Sequence, residues 1–240
     1  MRKITDLTAV KEVAIHLLYI DIGLTKFSPV VVKHPFLETA QILVKDGQGM
    51  KIINLLEDTE ELAKWQQKIR NEIEKAENAI QIYIMFTKPY IFAFLKLVKQ
   101  FLSKEDLSSI LGDAWSRVEQ SNMDNNLSKS QLVSLFKQCD PKLLMDEKEY
   151  QEFQNFPDTL ELYRGVTTYN KKNIKALSWT IKKDKAKWFA TRFSEKGKVY
   201  KAPIQKQYIY AYFTGRNEAE IIVDPKHLEN IEVYKDFSEV

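Results

Sequence analysis

One change of hydrophobic period, near Pro157, constrains this chain more than any other feature of its 240 residues. Before it, apolar residues recur mainly every three or four positions, as in helices that bury one face; after it they tend to alternate, as in strands. Helices gathered in one part and strands in the other predict an α+β fold rather than an alternating α/β one. The expectation is a mainly helical N-terminal part followed by a small strand-rich part over 156–240.

The helical part has its own punctuation. Leu7, Val10, Val13, Ala14, Leu17 and Leu18 predict an amphipathic helix within 4–22. Residues 28–56 read as short strands around the turn Asp46-Gly47-Gln48-Gly49, a hairpin signal. Leu62, Trp65, Ile69, Ile73, Ala76 and Ile80 then predict one long helix over 58–83, with Asp58 and Glu61 at its N-terminal end. Pro89 precedes another helix, Ser103 and Asp106 open one that runs through Trp115, and 121–126 reads as a loop. Two short helices, 128–136 and 146–153, complete this part.

Beyond Pro157 the segments LELYRG, ALSWT, KVYKAPI, QYIYAYF, AEIIV and NIEVY read as six strands. One helix interrupts them between Lys183 and Phe193, where Ala186, Phe189, Ala190 and Phe193 share a face. The charge divides with the period. Residues 156–240 carry 16 Lys+Arg against 11 Asp+Glu (+5), leaving 20 against 22 (−2) for residues 1–155. A basic segment suits a dinucleotide phosphate or a nucleic acid, and equally an ordinary solvated surface.

Cys139 is the single cysteine, which excludes an intramolecular disulfide and suits a reducing cytoplasm. The N-terminal segment lacks the cleavage pattern of a signal peptide. The most apolar stretch is interrupted by Lys88, Pro89 and Lys96, so no membrane association is expected. His16, His34 and His227 lack metal-ligand spacing, and no Gly-rich phosphate loop is present, so the expected metal content is none.

Three triplets at strand ends carry polar chemistry: Tyr163-Arg164-Gly165, Ser178-Trp179-Thr180 and Glu218-Ala219-Glu220. Singly, each reads equally well as a surface arginine, a routine strand serine or a solvated pair of glutamates. In this order they resemble the Arg…Ser-x-Thr…Glu-x-Glu signature of the arginine–serine–glutamate ADP-ribosyltransferases. The resemblance covers Tyr163 to Val223. Its departures are a short interval from Arg164 to Ser178, Trp179 in the middle of the second motif, and a strand-rich part near the smallest such a fold uses. More loosely, the whole chain is similar to uncharacterised proteins of bacteria and their phages.

The resemblance implies a small split β-sheet sandwich with helices, in a catalytic domain over 85–240 whose strand-rich core is 156–240, after an accessory region over 1–84. It implies NAD as substrate and ADP-ribose transfer to a macromolecule, a protein first and a nucleic acid second, in a cytoplasm that is the host's if the protein is phage-encoded. Glu220 would stabilise the positive charge that develops on the ribose, Ser178 would orient Glu220, and Glu218 would serve the acceptor, with a lean towards arginine. Arg164 would hold the dinucleotide phosphates beside Gly165, with Tyr163, Trp179, Thr180 and Phe189 completing the NAD site. Period-two alternation of an extended segment would turn Glu218 and Glu220 to one side. The alternatives are NAD hydrolysis, nucleic-acid modification, and a binding protein that keeps the sheet without turnover.

Overall fold

The computed structural model describes residues 3–47, 49–118 and 121–237, and it is an α+β protein, 45% helical and 24% strand. It divides into two compact units, Met1–Ile110 and Leu111–Val240; the sequence placed a boundary at 84/85. Among the described residues no helix is long and apolar enough to cross a membrane.

In the first unit α1 (Leu7–Leu18) starts where the Asp6 carboxylate accepts from Ala9 N at 3.1 Å, and it buries Val10, Ala14 and Leu18. The 28–56 region holds more strand than one hairpin. A three-stranded antiparallel sheet joins β1 (Gly23–Leu24), β2 (Val31–His34) and β3 (Leu37–Thr39), and β4 (Gln41–Asp46) pairs with β5 (Gly49–Asn54) as a separate ribbon. At its turn Gly47 takes φ 40°, a left-handed value that glycine adopts without strain, while Gln48 lies outside the described residues.

The single helix expected over 58–83 is two helices, α2 (Thr59–Lys75) and α3 (Ala79–Tyr83). Asp58 caps the first, accepting from Glu61 N at 3.0 Å. Ala76 turns extended (ψ 133°) and Asn78 caps the second helix through Gln81 N, so the apolar stripe changes register: Ala79, Ile82 and Tyr83 are buried and Ile80 is exposed. Periodicity misses this break because Ala76 is apolar on either path. α4 (Ile91–Val98) buries Phe94, which stacks on Phe86 at 4.1 Å, and Ser103 opens α5 (Lys104–Arg117) by accepting from Asp106 N.

The second unit places α6 (Lys129–Gln138), α7 (Pro141–Leu144) and α8 (Glu147–Gln154) before the strands. α7 has no counterpart in the sequence reading, being a single turn begun by Pro141. Capping boxes at Ser128/Gln131 and Asp146/Glu149 start α6 and α8. All six expected strands form: β6 (Thr159–Val166), β7 (Ser178–Thr180), β8 (Lys198–Gln205), β9 (Ile209–Phe213), β10 (Glu220–Val223) and β11 (Glu232–Asp236). They make one antiparallel sheet in the order β11-β8-β6-β7-β10-β9. This is one sheet where a sandwich of two was expected, yet it is nearly divided. β6 pairs with β8 along its whole length, whereas β6 and β7 share only the Tyr163↔Thr180 pair.

The remaining helix, α9 (Lys183–Thr191), packs on β6 through Ala186 and Ala190, which cluster with Tyr163 and Val199. The contact is close because Gly165 lacks a side chain: a Cβ there would lie 2.2 Å from Ala186 O and 2.6 Å from Ala190 N. The space on the Cβ side of Gly165 therefore belongs to the helix, a packing role that the sequence does not show. Gly165→Ala should lower stability by about 1–3 kcal/mol, the ordinary cost of overpacking, seen as a fall in melting temperature. Gly215→Ala, with nothing within 4 Å of the added carbon, should leave the melting temperature nearly unchanged.

Candidate active site

The cavity begins where the sheet divides. Beyond Tyr163↔Thr180 the two strands no longer pair, so Ser178 lacks a β6 ladder partner. Two side chains replace it. The Arg164 guanidinium donates from Nη1 to Ser178 O, and Asn122 Oδ1 accepts from Ser178 N at 3.2 Å and Leu177 N at 3.1 Å. A buried backbone carbonyl without a donor would be costly, so the split itself draws Arg164 inward.

That position makes Arg164 unusual. Its Nε is buried and has no hydrogen-bond partner among the described residues. Burial pushes its pKa down to about 10, the nearby Arg192 adds to this, and the Glu220 carboxylate opposes it. The guanidinium stays charged at neutral pH with donor capacity left over, as an anion-binding group requires.

A cavity of about 320 Å³ opens over this arrangement. All nine residues singled out from the sequence line it: Tyr163, Arg164 and Gly165 from β6, Ser178, Trp179 and Thr180 from β7, Phe189 from α9, and Glu218 and Glu220. Their placements differ in kind. Glu220 opens β10 opposite Thr180. Trp179 is 2% exposed with Nε1 donating to Ala176 O, so it serves mainly as wall and core. The Tyr163 hydroxyl donates to Glu161, and Lys183 Nζ lies 5.3 Å from its ring. Ser178 contributes its backbone to the Arg164 bond.

Glu218 does not lie on an extended segment. It ends a 3-10 turn, Gly215–Asn217, with helical φ/ψ, and the flanking Asn217 and Ala219 have φ 55° and 47°. Alternation along a strand is thus the wrong reason for its pairing with Glu220, because the chain reverses at Ala219. The carboxylates share the cavity because the turn is held from two sides. Thr180 Oγ1 donates to Glu218 O at 2.8 Å, and the buried Glu149 accepts from Thr214 N at 2.6 Å and Thr214 Oγ1 at 3.0 Å.

Sequence reasoning missed several lining residues, among them Asn122, Asn170, Trp188 and Arg192. Arg192 stands three residues after Phe189 and four after Trp188, so helical spacing carried a signal for both. Asn122 and Asn170 sit in connections, where periodicity carries none. Among the described residues no group of three or more His, Cys, Asp or Glu is arranged to hold a metal ion.

Removing the Glu149 anchor strands the Thr214 N–H, a loss of about 1–3 kcal/mol. In Glu149→Ala, amide exchange over 214–219 should quicken while exchange in β6 and β8 stays near wild type. Equal quickening throughout the unit would mean that Glu149 supports the whole fold rather than the turn.

The chain matches no protein-family model, no curated protein and no solved structure.

Proposed function

We propose that this protein is a mono-ADP-ribosyltransferase that takes NAD as donor and a macromolecule as acceptor, on a sheet of ADP-ribosyltransferase type. One observation carries the reading: nine residues chosen from sequence order for a single chemistry line a single cavity. The arginine–serine–glutamate resemblance names the reaction, and the geometry supports a division of its tasks.

The cavity volume is at the low end of the ~300–1,000 Å³ of small-molecule sites. It suits the nicotinamide and its ribose, with the pyrophosphate and adenosine towards the mouth. Arg164, with spare donors, and Arg192 on the rim suit the pyrophosphate charge. Cleavage of the bond from ribose C1′ to nicotinamide sends its electron pair to nicotinamide and leaves positive charge on the sugar. Glu220, half-buried on the cavity wall, suits the stabilisation of that charge, and a low-polarity surround strengthens it. The acceptor's nucleophilic atom then bonds to C1′, and its proton goes to a carboxylate, for which Glu218, shared by the cavity and a neighbouring groove, is the candidate. A protein arginine is one acceptor that Glu218 would serve. The positive balance of residues 156–240, 16 Lys+Arg against 11 Asp+Glu, favours a nucleic acid. The single, buried Cys139 suits a reducing cytoplasm.

Incubation with adenine-labelled NAD and bacterial lysate should move label into macromolecules; label recovered only as unreacted NAD would overturn the proposal. Glu220→Gln should cut transfer by about 10²- to 10³-fold, as loss of one well-placed electrostatic group does, with an unchanged melting temperature. Wild-type turnover would remove Glu220 from the mechanism. Arg164 gives a second check through its depressed pKa. At neutral pH the guanidinium is charged in both folded and unfolded chains, so the cost of burying it is carried by the fold, and it lessens only as pH rises through about 10. Arg164→Met should therefore lose NAD affinity by calorimetry while its melting temperature stays near wild type, the relieved burial of charge offsetting the lost bond to Ser178 O. A lower melting temperature with intact NAD binding would make Arg164 a structural residue alone.

A further inference from the structure

The cavity is bordered by exposed aromatic rings, and the segment 171–200 that supplies part of its lining has an excess of positive charge in its sequence, two features that a donor site alone does not require. Tyr169, Trp188 and Phe193 are 78%, 56% and 81% exposed. Each stands on or beside the cavity lining: Trp188 lines it, Tyr169 precedes the lining Asn170, and Phe193 follows the lining Arg192. Over residues 171–200 the chain holds ten Lys or Arg against Asp184 and Glu195, although the whole protein is only +3. Glu195 accepts from the Thr168 hydroxyl at 2.7 Å at the surface, and Asp184 is the acidic side chain of α9.

The helix orders these groups. Lys185, Trp188 and Arg192 stand three and four residues apart and so share one face of α9 and the turn that follows. The row runs from cation to aromatic to cation. At one end, Lys185 and Trp188 line a shallow second groove with Asp184 and Glu218. Trp188 and Glu218 belong to both hollows, so the groove adjoins the cavity at the carboxylate given to the acceptor. At the other end the Arg192 guanidinium lies 5.0 Å from the Phe189 ring centre and 5.3 Å from that of Phe193.

Backbone strain marks the same place. Phe193 and Ser194 take φ 59° and 61°, left-handed values that bulky residues avoid. Such strain costs energy at each residue and here holds a large apolar ring almost wholly in solvent. A turn selected for stability alone would place glycine or asparagine at 193.

We propose that this row, with Phe193 and Tyr169, is a docking surface for single-stranded nucleic acid, which it leads to the cavity mouth at Glu218. Exposed rings accept the faces of unstacked bases, and flanking cations follow a phosphate backbone. A duplex hides its base faces, and an acidic peptide would use the cations but leave the rings in water. Resting on the transferase reading, the proposal makes a single strand the acceptor. The C1′–nicotinamide bond breaks with its electrons on nicotinamide, a base nitrogen or sugar oxygen bonds to C1′, and the displaced proton passes to Glu218.

The test needs no turnover. Fluorescence anisotropy of a labelled twelve-nucleotide oligo-dT or oligo-U, titrated with the full protein, should show binding that weakens as salt rises. Phe193→Asn, which keeps a residue tolerant of the left-handed turn, and Trp188→Ala should each lower affinity about 5- to 100-fold with unchanged circular dichroism. Lys185→Gln should flatten the salt dependence. The proposal is overturned if the oligonucleotide does not bind, if loss of both rings leaves affinity intact, or if a duplex or a poly-glutamate peptide binds equally well. In the labelled-NAD assay, label should enter the added oligonucleotide; label in protein arginine instead overturns the acceptor assignment. Ring-dependent oligonucleotide binding without any NAD cleavage would overturn the transferase reading and leave the docking surface standing.

Discussion

The second unit depends on one incomplete strand pairing. β6 and β7 meet at Tyr163 and Thr180 and then part, leaving a gap in a sheet that is otherwise continuous. A gap in a sheet exposes backbone groups that must find partners, and here they find the Arg164 guanidinium and the Asn122 carboxamide. The same gap makes a concave space and draws a charged side chain into it. Cavity and buried cation are thus one structural event. Glu220, which opens β10 beside Thr180, supplies the nearby negative charge that favours the cation there.

A second close contact sets the rim. Gly165 lets α9 approach β6, and Gly197 does the same at the end of the helix, where an added Cβ would lie 2.2 Å from Val166 O and 2.5 Å from Ala190 O. With small Ala186 and Ala190 facing the sheet, the larger Trp188, Phe189 and Arg192 are left along the cavity side. Packing at the glycines and chemistry at the rim are therefore coupled through the orientation of one helix. A shift of α9 moves the rings and the guanidinium together, while Arg164 and Glu220 stay on their strands.

The legible parts of this protein are those with a local signal. Period two marked all six strands of the second unit, and Ala186, Phe189 and Ala190 marked α9, whereas Phe193, expected on the same face against the sheet, lies beyond the helix end at φ 59° and is exposed. Strand ends attract polar residues, so the three triplets fell where a sheet can bring them together. What stayed hidden depends on partners distant in sequence. The apolar pattern cannot report that Ala76 turns extended between α2 and α3. Asn122 bonds to residues 55 and 56 positions away from a connection that reads as an ordinary loop. Nor does the sequence show that Ala186 O fills the space on the Cβ side of Gly165. The near-division of the sheet is likewise a matter of which strand pairs with which, and the strand segments alone do not state it.

The two glutamates show how a correct grouping can rest on a mistaken cause, and the correction matters for function. On one straight strand, Glu218 and Glu220 would move as a unit. The reversal at Ala219, with φ 47° and its side chain buried, separates them mechanically. Glu220 is held by the ladders to β7 and β9, whereas Glu218 belongs to a turn hung from Thr180 and Glu149. A turn fastened at a few points opens more readily than a central strand paired on both sides. The carboxylate proposed to face the sugar, Glu220, is therefore on the stiffer element, where a fixed charge is most effective. The one shared with the outer groove sits where it can adjust to an incoming chain.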